Sequence, residues 1–188
     1  GPYRRYWLEA IRVELENLLS RKVWREEPLP QGSKPVPGRY VWKVKPNDKG
    51  EIAKWKARWI VQGFRQRAGH DYDKDKIYVS VANVVTVRAL LAIACEQGWE
   101  LHQMDVKAAY LCSKLEEDVR MYIKCPDGYQ LGQGMSARLL KGLYGTKQGA
   151  SLWGRLRTKV LVKHKLRQSL ADPSLYTRHD KNGKLLVT

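Results

Sequence analysis

The chain has 188 residues, with 35 Lys and Arg against 19 Asp and Glu, a formal net charge of +16. That length suits one domain with a real core, or two closely packed subdomains, and the charge favours a polyanionic partner over a basic coat that only aids solubility. No apolar run is long enough to span a membrane and no signal-peptide pattern is present, so the expectation is a soluble intracellular protein, cytoplasmic or nuclear, with no membrane partner.

The charge is unevenly placed. Residues 39–67 carry nine Lys and Arg against two acids, and residues 138–184 carry twelve against two. The stretch 96–127 between them holds seven acids and four basic residues. Basic flanks around an acidic centre suit a site that handles phosphates and metal together. Cys95, Cys112 and Cys125 lack C-x-x-C spacing, which argues for a reducing compartment and against zinc. His70, His102, His164 and His179 lie scattered, without ligand spacing.

In chain order, Gly1-Pro2 reads as a tag remnant. Tyr6 to Arg21 predicts an amphipathic helix, with Trp7, Ile11, Leu15, Leu18 and Leu19 on one face. The segment PLPQGSKPVPG, residues 28–38, is a rigid proline-rich connector, which closes an N-terminal unit over 3–38. Two alternating runs follow, Arg39 to Lys45 and Ile52 to Val61, joined by the turn residues Pro46-Asn47-Asp48-Lys49-Gly50, and predict a hairpin. Thr86 is the expected cap of a helix through Gln97, with Gly98 as its stop, so that hairpin and helix make a unit over 39–98. The last unit, 99–188, holds an expected strand at Glu100 to Asp105, a short helix near Val106, and a strand at Val119 to Lys124. A glycine-rich loop without P-loop spacing, Gly128 to Gly134, comes next. A basic helix over Ala150 to His164 is followed by strands at Ser174 to Thr177 and Lys184 to Thr188, flanking a turn at Asp180-Lys181-Asn182-Gly183.

Three patterns carry chemistry. In WELHQMDVKAAYL, Asp105 ends the alternating run, where a rigid strand end would hold a carboxylate for a metal ion, with Tyr110 as a wall beside it. In RYVWKVK and KWKARWIVQGFRQR, cations interleave with aromatics. Lys54, Lys56 and Arg58 share one strand face and suit phosphate tracking, while the same pattern also fits a half-buried hairpin with tryptophans in the core. Arg65, Arg67, Lys147 and Arg155 join them as candidate nucleic-acid contacts. In LLKGLYGTKQGASLW, two glycines bracket Leu143-Tyr144, and Gln148 at a helix start can hydrogen-bond a sugar or base edge.

These blocks, in order with WLEAIRVELENL, TVRALLAIACEQ, LEEDVRMYIKCPDGY and SLADPSLY, resemble the reverse transcriptase of copia-type LTR retrotransposons. The resemblance runs from about Trp7 to the last residue. It implies an α+β fold of polymerase fingers and palm type, an antiparallel sheet with helices packed on one face. It makes Asp105 the first metal-binding aspartate of the palm and Tyr110 the aromatic that excludes a ribose 2′-hydroxyl. Lys43 or Lys45, with Arg58, would hold the triphosphate, and Gln148 would contact the nucleotide sugar and template. Mg²⁺ would be the parent enzyme's cofactor, in two-metal phosphoryl transfer, and a primer–template of RNA or DNA its partner.

The family's Tyr-x-Asp-Asp motif is absent from these residues, as are the thumb and RNase H, and no Asp-Asp pair occurs anywhere. The expectation is a truncated, nucleic-acid-binding domain, cut before the catalytic hairpin is complete. It would bind no metal tightly and extend no primer alone. Thr146 where the family has Leu, and Val79-Ser80-Val81 where it has Ala-Pro-Val, suggest a decayed or repurposed copy. The alternative is a domesticated remnant acting as a protein-interaction or effector module. An exposed sheet edge would serve it, and the same edge would favour a homodimer.

Overall fold

The computed structural model describes residues 1–179, 181, 183 and 185–188. The first helix, α1 (Arg4–Ser20), begins two residues before the expected start. Ala10, Glu14 and Leu18, four apart, are its buried line, and Trp7, Ile11 and Leu15 flank them half-buried. On its wet side Arg12 pairs with Glu9 and Glu16 one turn either way. The helix ends in a Schellman closure, with Val23 N donating to Leu18 O and Lys22 N donating to Leu19 O.

Strand β1 (Trp24–Pro28) follows at once, where WREEP gives no strand signal in the sequence. It forms because its side chains are claimed from outside. Trp24 enters the core, the Tyr122 hydroxyl donates to Glu27, and the Tyr129 hydroxyl and Gly132 N donate to Glu26. Strands β2 (Gly38–Pro46) and β3 (Ile52–Val61) form the expected hairpin, with Asn47 and Gly50 closing its turn. Its two faces differ completely. Tyr40, Trp42, Trp55 and Trp59 lie on the side that meets α1, where Trp7 packs edge-on against Trp42 and Trp55 at 5.0 and 4.6 Å.

Helix α2 (Val84–Glu96) is capped by Asn83, whose side chain accepts from Val85 N. Thr86 therefore lies inside the helix and is not its cap. Asn83 competes better because it precedes a run with free N–H groups and adopts extended backbone. Gly98 takes the left-handed conformation expected of a helix stop. Glu100 to Asp105, expected as a strand, forms none. Alternation alone does not make a strand, and no other described segment pairs with this one.

A short helix, α3 (Ala109–Cys112), comes next. It is followed by β4 (Tyr122–Ile123), shorter than expected, β5 (Met135–Leu139) and the expected basic helix α4 (Gly149–Lys163). Strands β6 (Arg167–Gln168), β7 (Tyr176–His179) and β8 (Leu185–Val187) complete the chain. The expected turn at 180–183 falls partly outside the described residues.

The single antiparallel sheet expected from the sequence is divided into three small ones, ordered β1-β5-β4, β2-β3 and β6-β7-β8, all antiparallel within. The fold is thus mixed helix and antiparallel sheet. Leu18, Val23, Val36, Val61, Leu111, Met121, Ile123, Leu139 and Leu143 form the core between α1, the first sheet and the inner end of the hairpin. The proline-rich connector docks on this core through Val36, which bonds the backbone of Tyr122 and Lys124. No helix among the described residues is long and apolar enough to cross a membrane.

Candidate nucleic-acid interface

The hairpin register fixes its polar face. Lys43 stands directly across from Lys56, and Lys45 across from Lys54. Arg39 and Arg58 extend the same face, because alternate residues of a strand point the same way. Like charges placed directly opposite oppose pairing, so this face is assembled at a cost. Among the described residues none of Lys43, Lys45, Lys54, Lys56 and Arg58 forms an ion pair with a carboxylate. Partial burial and the neighbouring Arg58 and Lys45 push the Lys56 amine below the usual lysine range.

Glu14 approaches the base of this ribbon. Its Oε1 accepts from Trp59 N at 3.1 Å. Burial raises its pKa, against the pull of that N–H and of Arg58 and Lys56.

At the inner end of β3 the Arg58 guanidinium lies 4.4 Å from the centre of the Tyr144 ring. Tyr144 in turn lies against Tyr110, with ring centres 5.3 Å apart. Two of the residues singled out in the sequence, Arg58 and Tyr110, are therefore brought together by a third, Tyr144, which was not. Its signal was present in the two glycines around Leu143-Tyr144. A Cβ on Gly142 would sit 2.7 Å from Tyr110 O, and one on Gly145 would sit 2.1 Å from Val61 O. Gly145 also has φ +84°, where only glycine is unstrained. The segment is threaded between α3 and the hairpin, with Val61 N donating to Tyr144 O.

Gln148 lies just behind, 6% exposed. Its Oε1 accepts from Gln66 Nε2 at 2.9 Å, and its Nε2 donates to Asp71 O at 3.1 Å. Gln66 Oε1 accepts from Lys147 N. These bonds lock the segment after the hairpin to the start of α4. In this structure Gln148 is a buried strut whose amide is bonded within the protein. Thr146, the departure from the family pattern, is accommodated by a hydroxyl bond to Leu143 O at 2.7 Å.

The remaining candidates divide. Arg65 and Lys147 are exposed, with Arg65 resting over the Phe64 ring. Arg67 donates its backbone N–H to Asp71 Oδ2, and its guanidinium lies 3.8 Å from the same carboxylate. Arg155 pairs with Glu116 at 3.1 Å. Asp105 lies on exposed, non-repetitive backbone next to Met104, which is 88% exposed. Among the described residues no three His, Cys, Asp or Glu side chains converge on one point. A lone exposed carboxylate does not hold two divalent ions, so the residues described here do not fit a complete two-metal centre.

A cationic ribbon, braced on its back by aromatics and ending at a tyrosine pair, is set in a module of mixed helix and sheet. The chain belongs to the reverse transcriptase (RNA-dependent DNA polymerase) family, whose profile matches residues 21–188. It is 28% identical over 188 residues to the retrovirus-related Pol polyprotein from transposon TNT 1-94 of Nicotiana tabacum, covering 99% of this chain and 14% of that protein. It is 30% identical over 174 residues to the Pol polyprotein from transposon RE2 of Arabidopsis thaliana, covering 90% of this chain and 12% of that protein. A more distant relative is the transposon Ty1-LR2 Gag-Pol polyprotein of Saccharomyces cerevisiae, 26% identical over 157 residues, or 84% of this chain and 9% of that protein. These relatives are of the copia type, as the motifs implied. The chain therefore spans about a seventh or less of the curated relatives it matches. No solved structure matches it significantly.

Proposed function

We propose that these residues are the fingers and the first part of the palm of a retrotransposon reverse transcriptase, and that the β2-β3 face holds the phosphates of nucleic acid and incoming nucleotide. The observation that carries this reading is the hairpin register. It sets lysine against lysine twice, and among the described residues these cations form no ion pair with a carboxylate. A polyanion laid along the face would offset that repulsion, releasing counterions as it binds.

In this reading Lys54, Lys56 and Arg65 follow the backbone of a primer–template, and Lys43 or Lys45 with Arg58 meets the triphosphate. Arg67 and Arg155 join only by exchanging Asp71 and Glu116 for phosphate. Tyr110, held by Tyr144, stands at the sugar. Gln148 acts on that pocket from behind, by fixing the Lys147 loop. Asp105 is one carboxylate of a larger set, and the metal would supply charge neutralisation at the phosphates.

The exposed apolar side of α2, with Val84, Val85, Leu91 and Ile93 facing water, is covered by more of the palm of the same polyprotein, which also brings the other carboxylates. Taken alone, these 188 residues bind nucleic acid and do not extend a primer.

The test is a filter-binding titration of a primer–template duplex beside a primer-extension assay with Mg²⁺ or Mn²⁺. The expected result is binding that falls steeply with salt, and no extension product. Salt-independent binding would overturn the interface, and extension lost on Asp105→Ala would overturn the claim of an incomplete centre.

A further inference from the structure

A second cationic site lies away from the hairpin, and none of its walls comes from β2 or β3. It is a cavity of about 790 Å³, lined by the end of α1, β1, β5 and the segment 114–120. Backbone bonds from Leu140 N to Val23 O and from Leu115 N to Leu140 O tie these segments together. Seven of its lining residues are Lys or Arg, and two, Glu116 and Glu117, are acids. Glu116 is turned to Lys76 and Arg155.

Three local features there run against stability. Lys22 occupies the left-handed position of the α1 closure, with φ 52°, where glycine is favoured. Lys114 and Lys141 face each other directly in an isolated antiparallel bridge. Arg138 is 11% exposed, and its Nε has no hydrogen-bond partner among the described residues. Its other nitrogens are held by Glu117 O at 2.9 Å and, more loosely, by Glu27 at 3.8 Å. Arg21, Arg25 and Arg120 complete the ring, and among the described residues only Arg25 of these has an acidic partner, Glu27. Each feature costs stability in the protein alone, and negative charge in the same cavity offsets the Lys114–Lys141 repulsion and supplies the acceptor that Arg138 Nε lacks.

We infer that this cavity is a binding site for clustered phosphates, separate from the hairpin face. Its volume suits a nucleotide-sized ligand. Two sources share that chemistry, a compact polyphosphate and consecutive phosphodiesters of a strand.

The experiment titrates the 188-residue protein with inorganic tripolyphosphate and, separately, with a short single-stranded oligonucleotide, by calorimetry. Lys22→Gly is the informative variant, because it removes a charge and relieves backbone strain together. The site requires it to raise Tm by about 2–4 °C while weakening phosphate binding about five-fold. Lys114→Gln with Lys141→Gln should weaken binding further, without loss of Tm. Tighter binding of tripolyphosphate assigns the compact source, and tighter binding of the oligonucleotide assigns the strand. Lys43→Gln with Lys45→Gln removes tripolyphosphate bound at the hairpin and should leave in place the binding event that the Lys22, Lys114 and Lys141 changes weaken. The proposal is overturned if tripolyphosphate and oligonucleotide both fail to bind. It is equally overturned if binding survives the Lys22, Lys114 and Lys141 changes and is lost with the hairpin pair, a result that leaves the hairpin interface standing.

Discussion

The hairpin with α1 and the stretch from α2 to Asp105 are both rich in apolar side chains, yet they end in different states. Trp59 on the hairpin is 5% exposed, whereas Val85 on α2 is 69% exposed. The hairpin supplies its own partner strand and offers its aromatic face to α1, so burial follows locally. The run Glu100 to Asp105 is expected as a strand too, but a strand needs a neighbour, and none of the described segments pairs with it. Helix α2 buries only Ala94 and is anchored at its start, where Asp172 accepts from Asn83 N at 3.0 Å. The cation-bearing hairpin is assembled from contiguous sequence, whereas the stretch that carries Asp105 has no pairing partner among the described residues.

The sharpest way to break this contrast is to remove apolar bulk from each side. Trp59→Ala should cost about 3–5 kcal/mol, and Val85→Ala no more than about 0.5 kcal/mol, by urea denaturation. Equal losses would show that α2 is packed after all. Gly145→Ala tests the threaded tyrosine segment. A left-handed alanine pressed against Val61 O should cost at least about 2 kcal/mol and disturb Tyr144 fluorescence.

Two smaller effects read the carboxylates on each side. The pKa of Glu14 is raised in the folded state by burial, so its contribution is present at low pH and lost as pH rises through the raised value. Glu14→Gln keeps the acceptor for Trp59 N and should be stabilising by about 1 kcal/mol or less at pH 7, with the gain gone at pH 4. Asp172 has the opposite sign. The N–H groups of Ser174 and Asn83 hold its pKa below the usual carboxylate range. Its contribution is present above that range and lost as pH falls through the lowered value. Asp172→Asn should therefore flatten the acid limb of the stability curve and speed hydrogen exchange in the first turn of α2, leaving the hairpin amides unchanged.

The sequence made legible what is local. The helix at α1, the hairpin and its two faces, and helix α4 follow from periodicity and turn residues within each segment. It did not show β1, because WREEP becomes a strand only through Tyr122, Tyr129 and β5, all far along the chain. Nor did it show that Gln148 faces inward, since its partners Gln66 and Asp71 lie some eighty residues earlier. A glutamine at a helix start looks the same in sequence whether it meets ligand or protein. Tyr144 was hidden for a related reason, for its neighbours Arg58 and Tyr110 come from two other segments. The family motifs located Asp105, but not the absence of a strand beneath it.

The most direct test of the central claim is the salt dependence of duplex binding. It compares the protein with a variant carrying Lys43→Gln, Lys45→Gln, Lys54→Gln and Lys56→Gln. Each phosphate contact contributes roughly 0.9 to the slope of log K against log salt. If the cross-strand lysines form the interface, the slope should shallow by roughly 3 to 4, with affinity falling alike on unrelated sequences. An unchanged slope would contradict the account and place the polyanion elsewhere on the molecule.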